Sequence, residues 1–304
     1  MAYRCGILKS YKLPVPVIVV GNITVGGTGK TPLVIWLALT LKQAGYTPAI
    51  ISRGYGGSEQ NVCAVNVDAD PSAVGDEPIV VAQYSQCPVW VGRDRVAVGQ
   101  ALLKAHPECD VIFSDDGLQH YRLQRDVELA VVDGMRGFGN GYQLPAGSLR
   151  ESTSRLAEVD AVIKNGYVGL DLPINVTNTF AMQLQPAQFY QLSQPHNRCD
   201  AGDFTQKKIH AIAGIGNPER FFQTLRELRL SFEQHVFADH HAFQVQDLQI
   251  VGADIILMTE KDAVKCKPFA NQSCWVLPVV AQLEATFLPY LLLRLSAKQD
   301  LGSK

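Results

Sequence analysis

Absent from this chain is any C-x-x-C pair. Its seven cysteines, at 5, 63, 87, 109, 199, 266 and 274, are odd in number and unpatterned, so neither a zinc site nor a disulfide framework is signalled, and a reducing compartment is expected. Apolar runs long enough to cross a bilayer are missing, and the opening Met1-Ala2-Tyr3-Arg4-Cys5-Gly6 lacks the apolar core of a signal peptide. Neither sign of charge dominates. Lys and Arg total 27 against 29 Asp and Glu, and without a basic stripe nucleic acid is not an expected partner. Charged residues are sparse at 18% beside 47% apolar ones, a balance that excludes disorder and suits packed cores. No internal repeat is visible, and compositional bias is limited to mild Gln enrichment between Gln183 and Asp203. A length of 304 residues makes two domains the natural expectation.

What is present begins with Thr24-Val25-Gly26-Gly27-Thr28-Gly29-Lys30-Thr31, between the apolar run Pro16-Val17-Ile18-Val19-Val20 and a helical segment over 32–43. Strand, small-residue loop and helix in that order predict a phosphate-binding loop. Backbone N–H groups converge on phosphate oxygens, and the helix adds its positive N-terminal end. Lys30 then reaches the β- and γ-phosphates of ATP and the Thr31 hydroxyl serves Mg2+. The usual pattern has Gly five places before Gly29; here Thr24 stands there, and the Gly26-Gly27 pair supplies the flexibility.

Strand-like runs follow at 49–52, 88–91, 111–114 and 129–132, with helical candidates at 76–84 and 94–105. Near-continuous apolar strands alternating with helices predict a parallel sheet covered on both faces, with functional loops at the carboxyl ends of its strands. The pattern loosens after about 160, through Asn165-Gly166 and the Gln-rich stretch. A second α/β unit starts at 208–213, continues through a helix over 219–229 and has a later strand at 255–258. Gly214-x-Gly216 lacks the third glycine of a dinucleotide fingerprint and reads as an ordinary turn. The fold class is therefore α/β, with domains expected over 1–165 and 166–304.

Several polar groups sit at the predicted strand ends. Asp115-Asp116 ends an apolar strand, where a P-loop protein places its Mg2+-holding carboxylate, although two acids before Gly117 also suit a solvated turn. Gln119 and His120 follow, to position phosphate or substrate or simply to shape the loop. Asp76, in Gly75-Asp76-Glu77-Pro78, is either a reactive carboxylate or a helix-capping one. Arg53, in Ser52-Arg53-Gly54-Tyr55-Gly56, suits an anion. Arg150-Glu151 offers a cation for phosphate beside an acid for metal, or else a loop salt bridge. Asp239-His240-His241 lacks metal-ligand spacing; one of its histidines partners a catalytic acid or is structural.

These segments in this order, with Leu8-Lys9-Ser10-Tyr11, Pro145-Ala146-Gly147 and Thr259-Glu260-Lys261-Asp262-Ala263-Val264-Lys265, resemble the tetraacyldisaccharide 4'-kinase family over nearly the whole chain. The resemblance implies transfer of the ATP γ-phosphoryl group to the 4'-hydroxyl of a tetraacylated glucosamine disaccharide 1-phosphate, giving lipid IVA in lipid A biosynthesis. It also implies a Mg2+-dependent kinase with two α/β domains joined by a short β linker. The family's aspartate–histidine catalytic pair falls on Asp76 and His240, with Lys30 beside the phosphates. Expected metal ligands are Thr31, Asp115, Asp116 and Glu151; expected positioning residues are Arg53, Gln119, His120 and Arg150. The expected setting is a peripheral monomer on the cytoplasmic face of the inner membrane, contacting the lipid disaccharide and the membrane surface. The family generally has a further apolar or amphipathic helix before the Leu8-Lys9-Ser10-Tyr11 segment; this sequence starts almost at that segment, so the usual membrane anchor is expected to be either missing or not included in it. Ser148 and Ser152 stand where the family commonly has proline.

The competing reading is a P-loop switch or metallochaperone NTPase. Such proteins commonly carry Lys before the glycine pair, where this chain has Val25. GTP-specific relatives want Asn/Thr-Lys-x-Asp, and Thr259-Glu260-Lys261-Asp262 puts its Lys one place late.

Overall fold

The computed structural model describes residues 3, 7–59, 61–166, 172 and 176–302. Most of the opening segment read for a signal peptide (1, 2 and 4–6) lies outside them. The chain enters a large sheet through β1 (Val17–Gly21), turns into α1 (Lys30–Gln43), and continues through β2 (Pro48–Ser52), β3 (Cys63–Ala64), α2 (Pro71–Val74) and α3 (Asp76–Ser85). Next come β4 (Val89–Val91), α4 (Arg95–Ala105), β5 (Val111–Asp115), β6 (Val127–Asp133), β7 (Ala161–Asn165) and β8 (Thr179–Pro186). A second sheet begins with β9 (Phe189–Gln191) and β10 (Gln194–Cys199), then β11 (Ile209–Ala213), α5 (Pro218–Glu227), β12 (Phe232–Val236), β13 (Ile255–Thr259), α6 (Glu260–Cys266) and β14 (Cys274–Leu277). The chain returns through β15 (Val279–Leu283) and ends in α7 (Phe287–Gly302).

The large sheet has nine strands in the order β15-β8-β7-β6-β1-β5-β2-β4-β3, and the smaller has six, β10-β9-β14-β13-β11-β12. The nearly continuous apolar strands are the buried parallel ones: Val17 to Val20 lie at 0–1% exposure between β5 and β6. On one face Leu33, Leu37 and Leu41 of α1 pack with Phe287, Leu291 and Leu295 of α7. Val98 and Leu102 of α4 cover the other, with Leu13 and Leu156. In the smaller sheet, Phe221, Phe222 and Leu225 of α5 close one side, and Phe243, Leu248 and Ala263 close the other.

Two features differ from the sequence reading. The large sheet is not wholly parallel, because β3 and β15 join its edges antiparallel. The Gln-rich stretch is not loose but forms much of β8 and β10, whose outward positions are solvated and so carry no apolar run. Adjacent crossings, β8 to β9 and β14 to β15, link the two sheets and are tied by Ala187 N–H donating to Pro278 O at 2.9 Å. Strands β8 and β15 thus belong to the large sheet although they lie after residue 166.

The register fixes where chemistry can occur. Val20 pairs with Asp115, so the loops after β1 and β5 leave the sheet side by side at its carboxyl edge.

Candidate active site

The loop from β1 to α1 keeps its left-handed positions for glycine. Gly26 has φ 91° and Gly29, capping α1, has φ 94°, where a side chain is strained. Thr24 needs no such freedom: it forms an antiparallel bridge with Leu149, an extended conformation that suits a β-branched residue. Val25 N–H donates to Ser148 O at 2.8 Å and Arg150 N–H to Ile23 O at 2.7 Å, so the Gly147–Glu151 segment is zipped onto the start of the loop. On its other side Asn165, ending β7, donates from Nδ2 to Thr28 O at 2.8 Å. A Cβ at Gly29 would lie 2.3 Å from that same nitrogen.

Lys30 Nζ lies 3.3 Å from Asp116 Oδ1, and Arg150 Nη1 donates to both Asp116 oxygens at 2.9 and 3.0 Å. Burial raises the Asp116 pKa, but Lys30 and Arg150 outweigh it and hold the carboxyl below its usual range. Its neighbour is different. Asp115 is buried with Oδ1 lacking a partner among the described residues, and burial together with the charges of Glu77 and Asp116 pushes it up to about 7. Buried Arg95 anchors this strand end, donating from Nη2 to Asp115 O at 2.9 Å and from Nη1 to Gly92 O at 3.1 Å. Three carboxylates therefore converge beside the phosphate loop, one with an orphaned oxygen. That hard-oxygen set, with the Thr31 hydroxyl at the head of α1, fits Mg2+.

Asp76 is the first residue of α3, after Gly75 at φ 89°, and is buried. Its Oδ1 accepts from Glu77 N–H at 2.8 Å, which is helix-start work, while its Oδ2 faces His240 Nδ1 at 3.1 Å and Lys265 Nζ at 3.7 Å. Burial pushes the Asp76 carboxyl up. The His240 hydrogen bond and the charges of Lys261, His240 and Lys265 more than offset that, leaving it below its ordinary value. The same hydrogen bond raises the His240 pKa against the effect of burial. His240 sits at φ 57°, its N–H donating to Gly214 O at 3.2 Å, and its ring lies 5.3 Å from that of Tyr55. The pairing spans 164 positions of sequence and joins the two sheets.

Other expected residues are dispersed. Gln119 Nε2 donates to Asn22 O at 3.0 Å and to Glu151 Oε1 at 2.6 Å, and Tyr121 OH donates to Glu151 Oε2 at 2.5 Å. Each Glu151 oxygen thus accepts one hydrogen bond and keeps a lone pair for a cation. His120 is kept neutral: burial, then the Arg95 charge, lowers it to about 4. Arg53 is exposed, without an ion-pair partner among the described residues. His241 bonds Asp247 through Nε2 at 3.0 Å and packs on Phe237 and Phe243, a structural position.

The chain's kinship can be set beside this geometry. The tetraacyldisaccharide-1-P 4'-kinase family profile matches residues 1–296. The chain belongs to that family. A tetraacyldisaccharide 4'-kinase of Dechloromonas aromatica is 51% identical over 292 residues, covering 96% of this chain and 87% of its own length. The corresponding protein of Methylobacillus flagellatus is 48% identical over 296 residues, covering 97% and 87%. Among solved structures, LpxK of Aquifex aeolicus in complex with ATP aligns with a TM-score of 0.80 at 28% identity, over 97% of this chain and 92% of that one.

For a 4'-kinase of this family, several residues of the site escaped the sequence reading. Lys261 pairs with Glu77, and Lys265 reaches Asp76, Asp262 Oδ1 at 3.0 Å and Gly214 O at 3.3 Å. Their signal was the i, i+4 spacing that puts both lysines on one face of α6. The Gly214-Ile215-Gly216 turn is no ordinary one: a Cβ at Gly216 would stand 3.5 Å from Gly27 N, so the smaller sheet's turn abuts the phosphate loop. Asn165 and Arg95 carried no signal, since a polar residue ending a strand or starting a helix is unremarkable until its partner is known.

Proposed function

We propose that this chain transfers the γ-phosphoryl group of ATP to the 4'-hydroxyl of a tetraacylated glucosamine disaccharide 1-phosphate, giving lipid IVA. The observation that carries the reading is the buried Asp76 carboxylate, kept ionised by His240, Lys261 and Lys265 on the sheet edge that also bears the phosphate loop. A switch NTPase needs no base for a sugar hydroxyl; a lipid kinase does.

Each group then has a task. The backbone of Gly26 to Thr31 and the N-terminus of α1 cradle the ATP phosphates. Lys30 exchanges Asp116 for the migrating phosphoryl group, whose charge it neutralises, and Arg150 moves with it. Asp76 Oδ2 accepts the proton of the 4'-hydroxyl as that oxygen attacks, and His240 holds the carboxylate in line and balances its charge. Thr31, Asp115 and Asp116 would hold Mg2+, which when bound neutralises phosphate charge. Arg53, on an exposed Gly-rich loop beside Tyr55, meets an anionic group of the substrate.

The two α/β units close on each other, the first taking in residues 1–165 with β8, β15 and α7, and the second residues from β9 to β14. No described helix is long and apolar enough to cross a membrane. The setting we propose is a monomer held peripherally at the cytoplasmic face of the inner membrane. The test is direct: supply ATP, Mg2+ and the disaccharide 1-phosphate, and look for a new 4'-phosphate by mass spectrometry. ATP turnover without a lipid product would reject this reading in favour of the switch NTPase.

A further inference from the structure

We propose that His210, Glu233 and His235 form a binding site for a divalent transition-metal ion of the zinc class, separate from the phosphotransfer site. Strands β11 and β12 are parallel neighbours in which His210 faces Glu233 and Ile212 faces His235. Register partners point to the same side of a sheet, and so do residues two apart, so all three side chains share one face. His210 Nδ1 lies 2.9 Å from His235 Nε2 and 3.8 Å from Glu233 Oε2, and the three donor atoms fall within 4.8 Å of one another. Ligands sharing a tetrahedral zinc at bonds of about 2.0–2.2 Å stand roughly 3.3–3.6 Å apart. The observed separations straddle that value, and small side-chain rotations bring the donors onto one ion.

The surroundings suit a three-ligand site. His210 is 6% exposed, rooted against the core at the start of β11, while β12 is the outermost strand of its sheet and Glu233 is open to solvent. Two imidazoles and a carboxylate are a zinc donor set, and the exposed side leaves a position for water. The active-site contacts of this strand lie beyond its opposite end, at Gly214, whose carbonyl accepts from Lys265 and His240. Without an ion the two imidazoles share a hydrogen bond, the plain alternative.

The test titrates the full, tag-free, chelator-stripped chain with Co2+ under saturating Mg2+, reading visible ligand-field absorption, and then displaces Co2+ with Zn2+. We expect saturation at one ion per chain, displacement by Zn2+, and a rise in the melting temperature with Zn2+. His235→Ala and Glu233→Gln, both on the edge strand, should each weaken binding by about tenfold or more, since loss of mere outer-shell partners already costs that much. Unchanged circular dichroism establishes that each variant is folded. No saturable binding by the wild type, or binding that either folded variant leaves unchanged, overturns the proposal; the second result would place the ion elsewhere, at the kinase site included.

Discussion

Replacing His240 with Ala separates the two effects acting on Asp76. The wild-type carboxyl is raised by burial and lowered by the His240 hydrogen bond, then by Lys261, His240 and Lys265. The variant keeps the burial and both lysines but loses the ring. A charge-assisted hydrogen bond is worth about 1.5–3 kcal/mol, so its loss lets burial push the Asp76 carboxyl upward. Because the His240 side chain is 25% exposed, and water replaces part of what it provides, the lower end of that energy range is expected. The acid limb of the kcat profile, which reports the ionisation of the base in the ternary complex, should therefore move to higher pH. Plateau kcat should fall by roughly tenfold as the carboxylate loses its alignment. The assay is lipid 4'-phosphorylation under saturating ATP, Mg2+ and lipid across the acid range. A limb that stays in place, or moves to lower pH, refutes the assignment of His240 as the group that sets Asp76. His241→Ala serves as the control: it should lower the melting temperature through lost contacts with Phe237, Phe243 and Asp247 while leaving the limb nearly unmoved.

Four further outcomes follow from the same geometry. Asp76→Asn keeps the helix-start hydrogen bond but removes the base, so kcat should fall about 10²- to 10⁴-fold while ATP binding, followed by calorimetry, is largely kept. Lys30→Ala should lose about 10²-fold or more in turnover without unfolding, and near-normal turnover in a folded variant would exclude the phosphate-loop assignment. Turnover of Asp115→Asn against Mg2+ and Mn2+ concentration should show partial rescue by higher metal, whereas Asp76→Asn should show none; equal metal insensitivity would mean the acids have been divided wrongly. Stability of the Asp76–His240 joint depends on pH from both sides. The depressed Asp76 contributes above its unfolded value of about 3.9 and loses that contribution as pH falls through its folded value. The raised His240 contributes fully below about 6.5 and loses it as pH climbs through its folded value, so thermal melts of wild type and His240→Ala should differ most between those limits.

The sequence by itself determined the parts whose signal is local. Alternation of apolar runs with helical segments was enough for the α/β class and, for the strands and helices it picked out, for bounds within a residue or two, because buried parallel strands are apolar throughout; the short buried strands β7 and β14 and the helix α7 were not picked out. Loop conformation was equally legible where one backbone stretch decides it, as in the strand–loop–helix turn from Gly26 to Thr31 with its left-handed glycines. Polar, half-solvated strands such as β8 and β10 gave no such signal, and the β8–β15 pairing that returns the chain to its first sheet is invisible because its partners are nearly a hundred residues apart. The tertiary structure alone decided which charges meet. Glu151 looks in sequence like a partner for Arg150, yet Gln119 and Tyr121 take its oxygens and Arg150 turns to Asp116. Asp76 reads as a helix-start carboxylate, and it is one; its second oxygen becomes a candidate base only because packing of the smaller sheet brings His240 and Lys265 against it. A side chain's charge state depends on burial and on neighbours within a few ångströms, and neither is a property of the residue's place in the chain.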